Sequence, residues 1–323
     1  MGDGRATIQG MADVLPVTAD IREVGPRDGL QNEPPVPVAE RVRLIEALAA
    51  AGMRRIEAAS FVHPSAIPSM AGAEDVLAAV SRRPGVSYAA LVPNRRGAER
   101  ALAAGADELE AVVSASETHN LRNLKRTPDE TAAEIAGVIE LAHAAGRPVD
   151  AGVATCFGCP YEGDIDPARV AALARRLVDL GADTIFFGDT TGMGSPRRVG
   201  LLLDALEAAG IDLSIVGLHL HDTRGTGLAN AYAAIGRGVT RFDASVGGLG
   251  GCPYAPGASG NVATEDLVHM FEDLGVSTGI DLEALIAAAH LAEEIVGRRL
   301  PGQVMRAGPR TLLVPTGPAV PAG

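Results

Sequence analysis

The feature that most constrains the fold is a regular alternation of short β-rich runs with longer helical runs rich in Ala and Leu. The β-rich runs are at 20–25, 54–59, 87–92, 107–113, 148–155, 183–188, 213–221 and 240–246. The helical runs are at 38–51, 73–82, 95–104, 128–145, 167–180, 196–209, 226–237 and 263–274. Eight strand–helix pairs in succession predict a (β/α)8 TIM barrel, the α/β fold in which parallel strands close on themselves.

The main alternative is an open, doubly wound sheet. Its dinucleotide-binding form is disfavoured because no G-x-G-x-x-G turn follows the first β-rich run. We therefore expect one catalytic barrel domain over 19–299, which includes an extra amphipathic C-terminal helix at 281–298. Residues 1–18 are expected to be a flexible N-terminal segment, and the Pro/Gly-rich residues 300–323 a loose tail.

Composition narrows the class of protein. Hydrophobic residues make up 47% of the 323 residues, but aromatic residues only 3%, so Ala, Val, Leu and Ile must fill the core. A net charge of -12 argues against nucleic acid and anionic membranes as partners. The sequence also has no run of 18 apolar residues, the length that would predict a membrane span. Three cysteines make no disulfide framework, which favours a reducing, cytoplasmic location. We interpret Cys156 and Cys159 as structural.

Polar side chains follow the predicted strands where each strand ends. The residues concerned are Arg27, Asp28, Glu57, Asp189, His219, His221 and Asn261. In a barrel the carboxyl ends of the strands meet at one rim, where active sites lie. The sequence therefore predicts that these side chains converge on one site.

The sharpest element of this rim is the His-x-His pair in G-L-H-L-H-D, at 217–222. The two-residue period of a strand points both imidazoles to the same side, where they are either metal ligands or hydrogen-bonded structural histidines. Strands one and seven both neighbour strand eight in a closed barrel, so Asp28 and Asn261 can meet His219 and His221 around one ion. Nitrogen and oxygen ligands without thiolate suit a divalent metal, Mg²⁺ or Mn²⁺, although the affinity order would favour Zn²⁺ or Co²⁺.

Six motifs resemble those of the 3-hydroxy-3-methylglutaryl-CoA lyase family, and the resemblance extends from about residue 20 to residue 298. They are V-G-P-R-D-G-L-Q-N-E (24–33), I-E-A-A-S-F-V (56–62), G-C-P-Y-E-G (158–163), G-D-T-T-G (188–192), H-L-H-D-T (219–223) and S-V-G-G-L-G-G-C-P-Y-A-P-G-A-S-G-N (245–261). The last of these motifs is highly specific. The resemblance implies cleavage of 3-hydroxy-3-methylglutaryl-CoA to acetyl-CoA and acetoacetate.

The same resemblance implies roles for single residues. Asp28, His219, His221 and Asn261 would bind the metal, and Arg27 would stabilise an enolate at the thioester oxygen. Cys252 would be an acid or base on a mobile loop, unless it is an inert side chain. Glu57, Asp189 and Glu265 would be supporting polar groups near the metal. The residues predicted to bind the substrate, besides Arg27, are Gln31, Asp189 and Arg224, with Asn123 and Lys125 predicted to bind CoA.

Several alternatives stay open at this point. Glu57 either acts on the substrate or only neutralises Arg27. Arg224, just after the histidines, leaves the acyl group undecided, so a lyase for a related branched 3-hydroxyacyl-CoA is an alternative. A second alternative is a Claisen-type acyl-CoA synthase of the same barrel group, which usually has a long C-terminal region. A barrel that has lost its activity is a third alternative. The family resemblance also implies that the protein is a homodimer.

Overall fold

The eight β-rich runs form eight parallel strands in the computed structural model, which describes residues 15–250 and 260–313. The strands are β1 Asp20–Glu23, β2 Arg55–Ser60, β3 Ser87–Leu91, β4 Glu108–Ser114, β5 Val149–Ala154, β6 Thr184–Gly188, β7 Val216–His219 and β8 Arg241–Ala244. Each strand pairs with the next, and β1 pairs with β8, so the sheet closes. The predicted TIM barrel is confirmed.

Helices connect the strands and cover the outside of the barrel. They are α1 Val38–Ala50, α2 Ala73–Ala79, α3 Arg95–Ala103, α4 Glu117–Leu124, α5 Pro128–Ala144, α6 Pro167–Asp179, α7 Pro196–Ala208, α8 Gly227–Ile235, α9 Thr264–Asp273, α10 Leu282–Val296 and α11 Val304–Ala307. Their inner faces bury Ala, Val, Leu and Ile against the strands, as the composition predicted. No helix in the described part of the chain has the length and apolar character needed to span a bilayer.

Two helices differ from the sequence prediction. We expected a loop after β4, but α4 forms there because the Ser116 hydroxyl accepts a hydrogen bond from the His119 amide and caps its first turn. We expected a loose tail from residue 300, but α11 forms, and Leu300 and Met305 are buried. Asp266 accepts hydrogen bonds from the backbone amides at the start of α11, which fixes this segment against α9. Residues 1–14 and 314–323 of the predicted terminal segments lie outside the described residues.

Charged side chains fill the lower part of the barrel interior, where many barrels hold branched aliphatic residues. Arg22 bonds to Asp243 at 2.8 Å and to Asp150 at 3.0 Å, while Arg55 bonds to Asp150 at 2.6 Å and also to Glu108. We call these five residues the ionic layer. Each of their charges has a partner of opposite sign, which is the condition for burying charge in a protein.

Candidate metal centre and active site

A short π-helical turn places two of the predicted site residues at the rim. Gly25–Gly29 follows β1 directly, and it presents Arg27 and Asp28 next to the end of β8. The Arg27 guanidinium donates to Asp28 at 2.8 Å and forms an ion pair with Glu57 at 2.7 Å. Both contacts hold Arg27 in one position, with 7% of its surface exposed.

The two histidines meet Asp28 at this rim. The Nε2 atoms of His219 and His221 lie 3.2 Å apart, and Nε2 of His219 lies 3.9 Å from Asp28 Oδ2. One ligand atom from each of the three residues lies within 4.8 Å of the other two. The strand β7 ends at His219, so His221 is held instead by an antiparallel bridge to Asn261.

That bridge brings the fourth predicted ligand into the cluster. The Asn261 amide nitrogen donates to Asp28 Oδ2 at 2.8 Å. Its amide oxygen is buried and has no hydrogen-bond partner among the described residues, and the same is true of His221 Nδ1. An orphaned amide oxygen beside two imidazoles and a carboxylate fits a divalent cation, because all four groups are suitable ligands.

The surroundings shift the pKa values of these ligands in different directions. Burial, helped by neighbouring His219, lowers the pKa of His221 to about 4, so this imidazole is neutral at pH 7. Burial alone would also lower the pKa of His219, but its hydrogen bond to Asp243 and the charge of Asp28 outweigh burial and raise it. Burial would raise the pKa of Asp28, but Arg27 and the histidines outweigh it and lower that pKa. Asp28 is therefore ionised and ready to bind a cation.

A second carboxyl group that the sequence did not single out lies near Arg27. Glu110, on β4, approaches Arg27 at 4.0 Å and Arg22 at 3.3 Å. Glu110 also affects Glu57, the ion-pair partner of Arg27. Burial, helped by the charge of Glu110, raises the pKa of Glu57 well above its ordinary value, despite the opposing charge of Arg27. Glu110 is two residues after Glu108 on β4, so strand period two, which places both carboxyl groups on the same side of the strand, was a signal that could have revealed it.

The cluster opens into a cavity of about 540 Å³. Arg27, Asp28, His219, His221 and Gly250 line one side of it. The opposite side is mostly apolar, and we call it the apolar wall, formed by Val62, Ile67, Pro68, Leu91, Val92 and Leu124. The cavity thus joins a polar reaction centre to a surface suited to a partly apolar substrate.

The structure brings some of the other predicted residues to this cavity. Gln31 and Asn123 line it. His119, which the sequence analysis did not place, also lines it and is buried at the start of α4. Glu57 reaches the site through its ion pair with Arg27. Cys252 lies outside the described residues, so its role stays a prediction.

Other predicted residues do not line the cavity. Lys125 follows α4 with a φ of 59°, and its ammonium donates to the backbone at Arg122. The exposed Arg224 donates to the carbonyl oxygens of Thr191 and Gly192, at 3.0 and 2.8 Å. Both cations are bound by backbone carbonyl oxygens outside the cavity.

Two predicted carboxyl groups have backbone partners instead. Asp189 accepts hydrogen bonds from the amides of Met193 and Gly194, and burial raises its pKa to about 7. Glu265 accepts one from the Gly247 amide at 3.0 Å, at the base of the loop after β8. These contacts shape the loops around the site, and neither residue lines the cavity.

The two described cysteines are buried near β5. The Cys156 thiol donates to the carbonyl of Val153, and the Cys159 thiol lies 3.0 Å from the Ser116 hydroxyl. Both are free thiols. Burial raises the pKa of Cys156 strongly, so it is unreactive at neutral pH. This agrees with the structural role that we predicted for both.

Known proteins are similar to this chain in sequence and fold over nearly its whole length. A hydroxymethylglutaryl-CoA lyase, YngG, from Bacillus subtilis is 45% identical over 89% of this chain and 96% of its own length. An (R)-citramalyl-CoA lyase from Chloroflexus aurantiacus is 46% identical over 90% of this chain and 94% of its own. The structure of an HMG-CoA lyase from Acinetobacter baumannii in complex with coenzyme A and 3-methylmalate superposes with a TM-score of 0.89. That protein is 43% identical, over 93% of this chain and 98% of its own.

The family match agrees with the geometry. The model of the HMGL-like family matches residues 18–292, well over half of the chain. The family depends on a divalent metal, and the cluster of Asp28, His219 and His221 is a possible site for one. The chain is therefore a lyase-type enzyme that belongs to the HMGL-like family.

Proposed function

We propose that the protein is a divalent-metal-dependent lyase that cleaves 3-hydroxy-3-methylglutaryl-CoA to acetyl-CoA and acetoacetate. The observation that carries this proposal is the shared cavity of the ligand cluster and Arg27. Cleavage next to a carbonyl generates negative charge on two oxygens, first at the C3 hydroxyl and then at the thioester. The two halves of the site match these two charges.

The metal would be held by Asp28, His219, His221 and Asn261. We favour Mg²⁺ or Mn²⁺ because two oxygen ligands accompany the two imidazoles. When bound, such a cation supplies a Lewis acid that stabilises negative charge on a substrate oxygen.

Arg27 would stabilise the second charge, the enolate oxygen of the leaving acetyl-CoA. Its guanidinium lines the cavity and is already oriented by Asp28 and Glu57. A donor held in place before the reaction needs no reorganisation when charge develops. Glu57 therefore acts on Arg27 in this proposal, and direct contact with the substrate is not required.

Proton movement completes the reaction. The C3 hydroxyl must lose a proton, and the enolate carbon must gain one, so the overall reaction is balanced. A carboxylate or imidazole of the ligand cluster is suitably placed to accept the first proton. The donor of the second is predicted to be Cys252.

An acyl-CoA substrate is supported by two observations. The relative from Acinetobacter baumannii binds coenzyme A and a hydroxy acid. The cavity of this chain offers an apolar wall for an acyl or pantetheine chain, with Asn123 beside it as a polar contact. A homodimer and a cytoplasmic location stay predictions, and light scattering on the purified protein tests the first.

A related branched 3-hydroxyacyl-CoA is the second candidate substrate. The relative named (R)-citramalyl-CoA lyase is as similar to this chain as the hydroxymethylglutaryl-CoA lyase is. Citramalyl-CoA also has a hydroxyl and a methyl group at C3, but its distal carboxylate is one methylene closer. Such a difference changes selectivity by roughly 10- to 200-fold in a fitted pocket.

Steady-state cleavage of a small panel tests both candidates. The panel contains 3-hydroxy-3-methylglutaryl-CoA, citramalyl-CoA and an analogue with a longer branch at C3, each with added Mg²⁺ or Mn²⁺. We expect the first to have the highest kcat/KM, and Asp28→Asn to lower it by about 10³-fold, since several kcal/mol of charge stabilisation are lost. Wild-type rates equal to those of Asp28→Asn on every substrate would refute the proposal.

A further inference from the structure

The ring of His219 has contacts on both of its nitrogens. Nε2 faces the ligand cluster, 3.2 Å from His221. Nδ1 points away from it and lies 3.0 Å from Oδ2 of Asp243, a side chain that is 1% exposed. The two residues are register partners on β7 and β8, so the sheet itself sets this distance. Only Nδ1 carrying its proton makes this contact a hydrogen bond to an ionised carboxylate.

Asp243 is in turn held by Arg22, in the ionic layer. The Nε of Arg22 donates to Oδ1 and its Nη2 to Oδ2, both at 2.8 Å, so the pair is bidentate. Arg22 is fully buried, stacks on Phe186 with its guanidinium carbon 4.3 Å from the ring centroid, and bonds to Asp150 on its other side. These contacts leave the Asp243 carboxylate little freedom to rotate.

From this arrangement we infer that Asp243 is a positioning residue, which holds the Nδ1–H tautomer of His219 and so aims its Nε2 lone pair at the metal. The inference rests on the metal site of the proposed function. A carboxylate behind a metal-binding histidine fixes the ring and makes it a better ligand, and its loss typically costs 10- to 100-fold in metal affinity.

His221 provides a contrast within the same site. Its Nδ1 is buried and has no hydrogen-bond partner among the described residues, so no carboxylate selects its tautomer there. Its position depends instead on the backbone bridge to Asn261. The two imidazoles are therefore positioned by different means, and only that of His219 depends on the ionic layer.

The chain offers a matched control for a mutation test. Asp150 is buried in the same layer and also bonds to Arg22, but it contacts neither histidine. Asp243→Asn leaves one acceptor oxygen where Asp243 uses two, because Oδ1 accepts from Arg22 and Oδ2 accepts from both Arg22 and His219. Asp150→Asn weakens the ionic layer alone.

The measurement is Mn²⁺ affinity by electron paramagnetic resonance, with thermal unfolding on the same samples. We expect Asp243→Asn to raise the Kd for Mn²⁺ by roughly 10- to 100-fold, and Asp150→Asn to change it less than about threefold. Equal losses in the two variants, or an unchanged Kd in Asp243→Asn, would overturn the inference. If wild-type protein does not bind Mn²⁺, the proposed metal site itself fails.

A second measurement uses protein in which the contact between His219 and Asp243 is intact. Long-range ¹H–¹⁵N spectra of metal-free wild-type protein, labelled at histidine and recorded near pH 9, report which ring nitrogen carries the proton. His219→Gln identifies the signals of His219. We expect the Nδ1–H form at His219, and a predominant Nε2–H form contradicts the inference whether or not Asp243→Asn folds.

Discussion

The two sides of the cavity differ in what they are built from. The side formed by the ends of β1, β7 and β8 holds the ligand cluster and Arg27, and hydrogen bonds and ion pairs connect Arg27, Asp28, His219 and Asn261 to fixed partners. The side formed by β3, α4 and the loop after β2 is the apolar wall, whose residues have few directional contacts. We therefore expect the first side to tolerate fewer substitutions than the second.

The physical reason is the direction of the interactions. Metal ligands and charge-assisted hydrogen bonds require set distances and angles, so each must be braced by another group. Apolar contacts depend mainly on area and shape, and a similar side chain can replace another. This difference predicts that mutations on the two sides have separate effects on turnover and on substrate affinity.

The largest of the three effects below is expected on the polar side, at Arg27. Arg27→Lys keeps the charge but loses the planar set of donors, so it cannot hold Asp28 and Glu57 and also reach the thioester oxygen. We expect kcat to fall roughly 10²–10³-fold with a much smaller change in KM. Arg175→Lys, in the exposed ion pair with Asp179 on α6, is the control and should retain full activity. A large rise in KM at unchanged kcat would place Arg27 in substrate binding alone.

A smaller effect is expected on the apolar wall. Leu124→Ala removes a side chain at the end of α4 that lines the cavity, so acyl-CoA should lose apolar contact area. We expect KM to rise about five- to tenfold, while kcat and Mn²⁺ affinity stay within about twofold. Leu121→Ala, on the exposed face of the same helix, should change neither constant. A matching loss of Mn²⁺ affinity in Leu124→Ala would show that the two sides are coupled.

The smallest effect concerns pH and the base of the loop after β8. Burial raises the pKa of Glu265 from 4.5 to about 8, so the folded protein holds a proton that the unfolded chain releases above about pH 4.5. The stability contributed by that proton is present at low pH and is lost as pH rises through about 8. In the presence of a chelator, raising the pH from 6 to 9 should lower the Tm of wild type by about 2–4 °C more than that of Glu265→Gln.

Glu283→Gln, at an exposed position on α10, is the control and should follow wild type. Parallel pH profiles for wild type and Glu265→Gln would mean that Glu265 is ionised in the folded protein. The polar side would then contain another fixed charge rather than a neutral donor at the base of this loop.

The elements that the sequence predicted well are those with local periodic patterns. Each of the eight strands begins and ends within three residues of its predicted run. Such agreement is possible because the alternation of β-rich runs with Gly-terminated helices can be read from neighbouring residues alone. The helix α4 was missed because its polar sequence resembles a loop, although Ser116 is a capping residue that could have indicated its start. The family resemblance, which rests on contiguous motifs, is confirmed.

The destinations of single side chains were less predictable. Lys125 and Arg224 are close in sequence to site residues, yet both bond to nearby carbonyl oxygens outside the cavity. Glu110 and Asp243 have no motif around them, yet they lie beside Arg27 and His219. Which polar groups meet depends on strand register and barrel closure, and a linear pattern does not encode these.

The sequence by itself determined that this chain closes into a barrel with Asp28, His219 and His221 at one rim. Strand period, helix ends and strand order are enough for that conclusion. Only the tertiary structure decided that Asn261 reaches the site through its bridge to His221 and that Asp243 stands behind His219. The first contact joins two residues that are 40 positions apart in the sequence, and the second joins the neighbouring strands β7 and β8. Both therefore form only when the barrel has closed and its buried charges are paired.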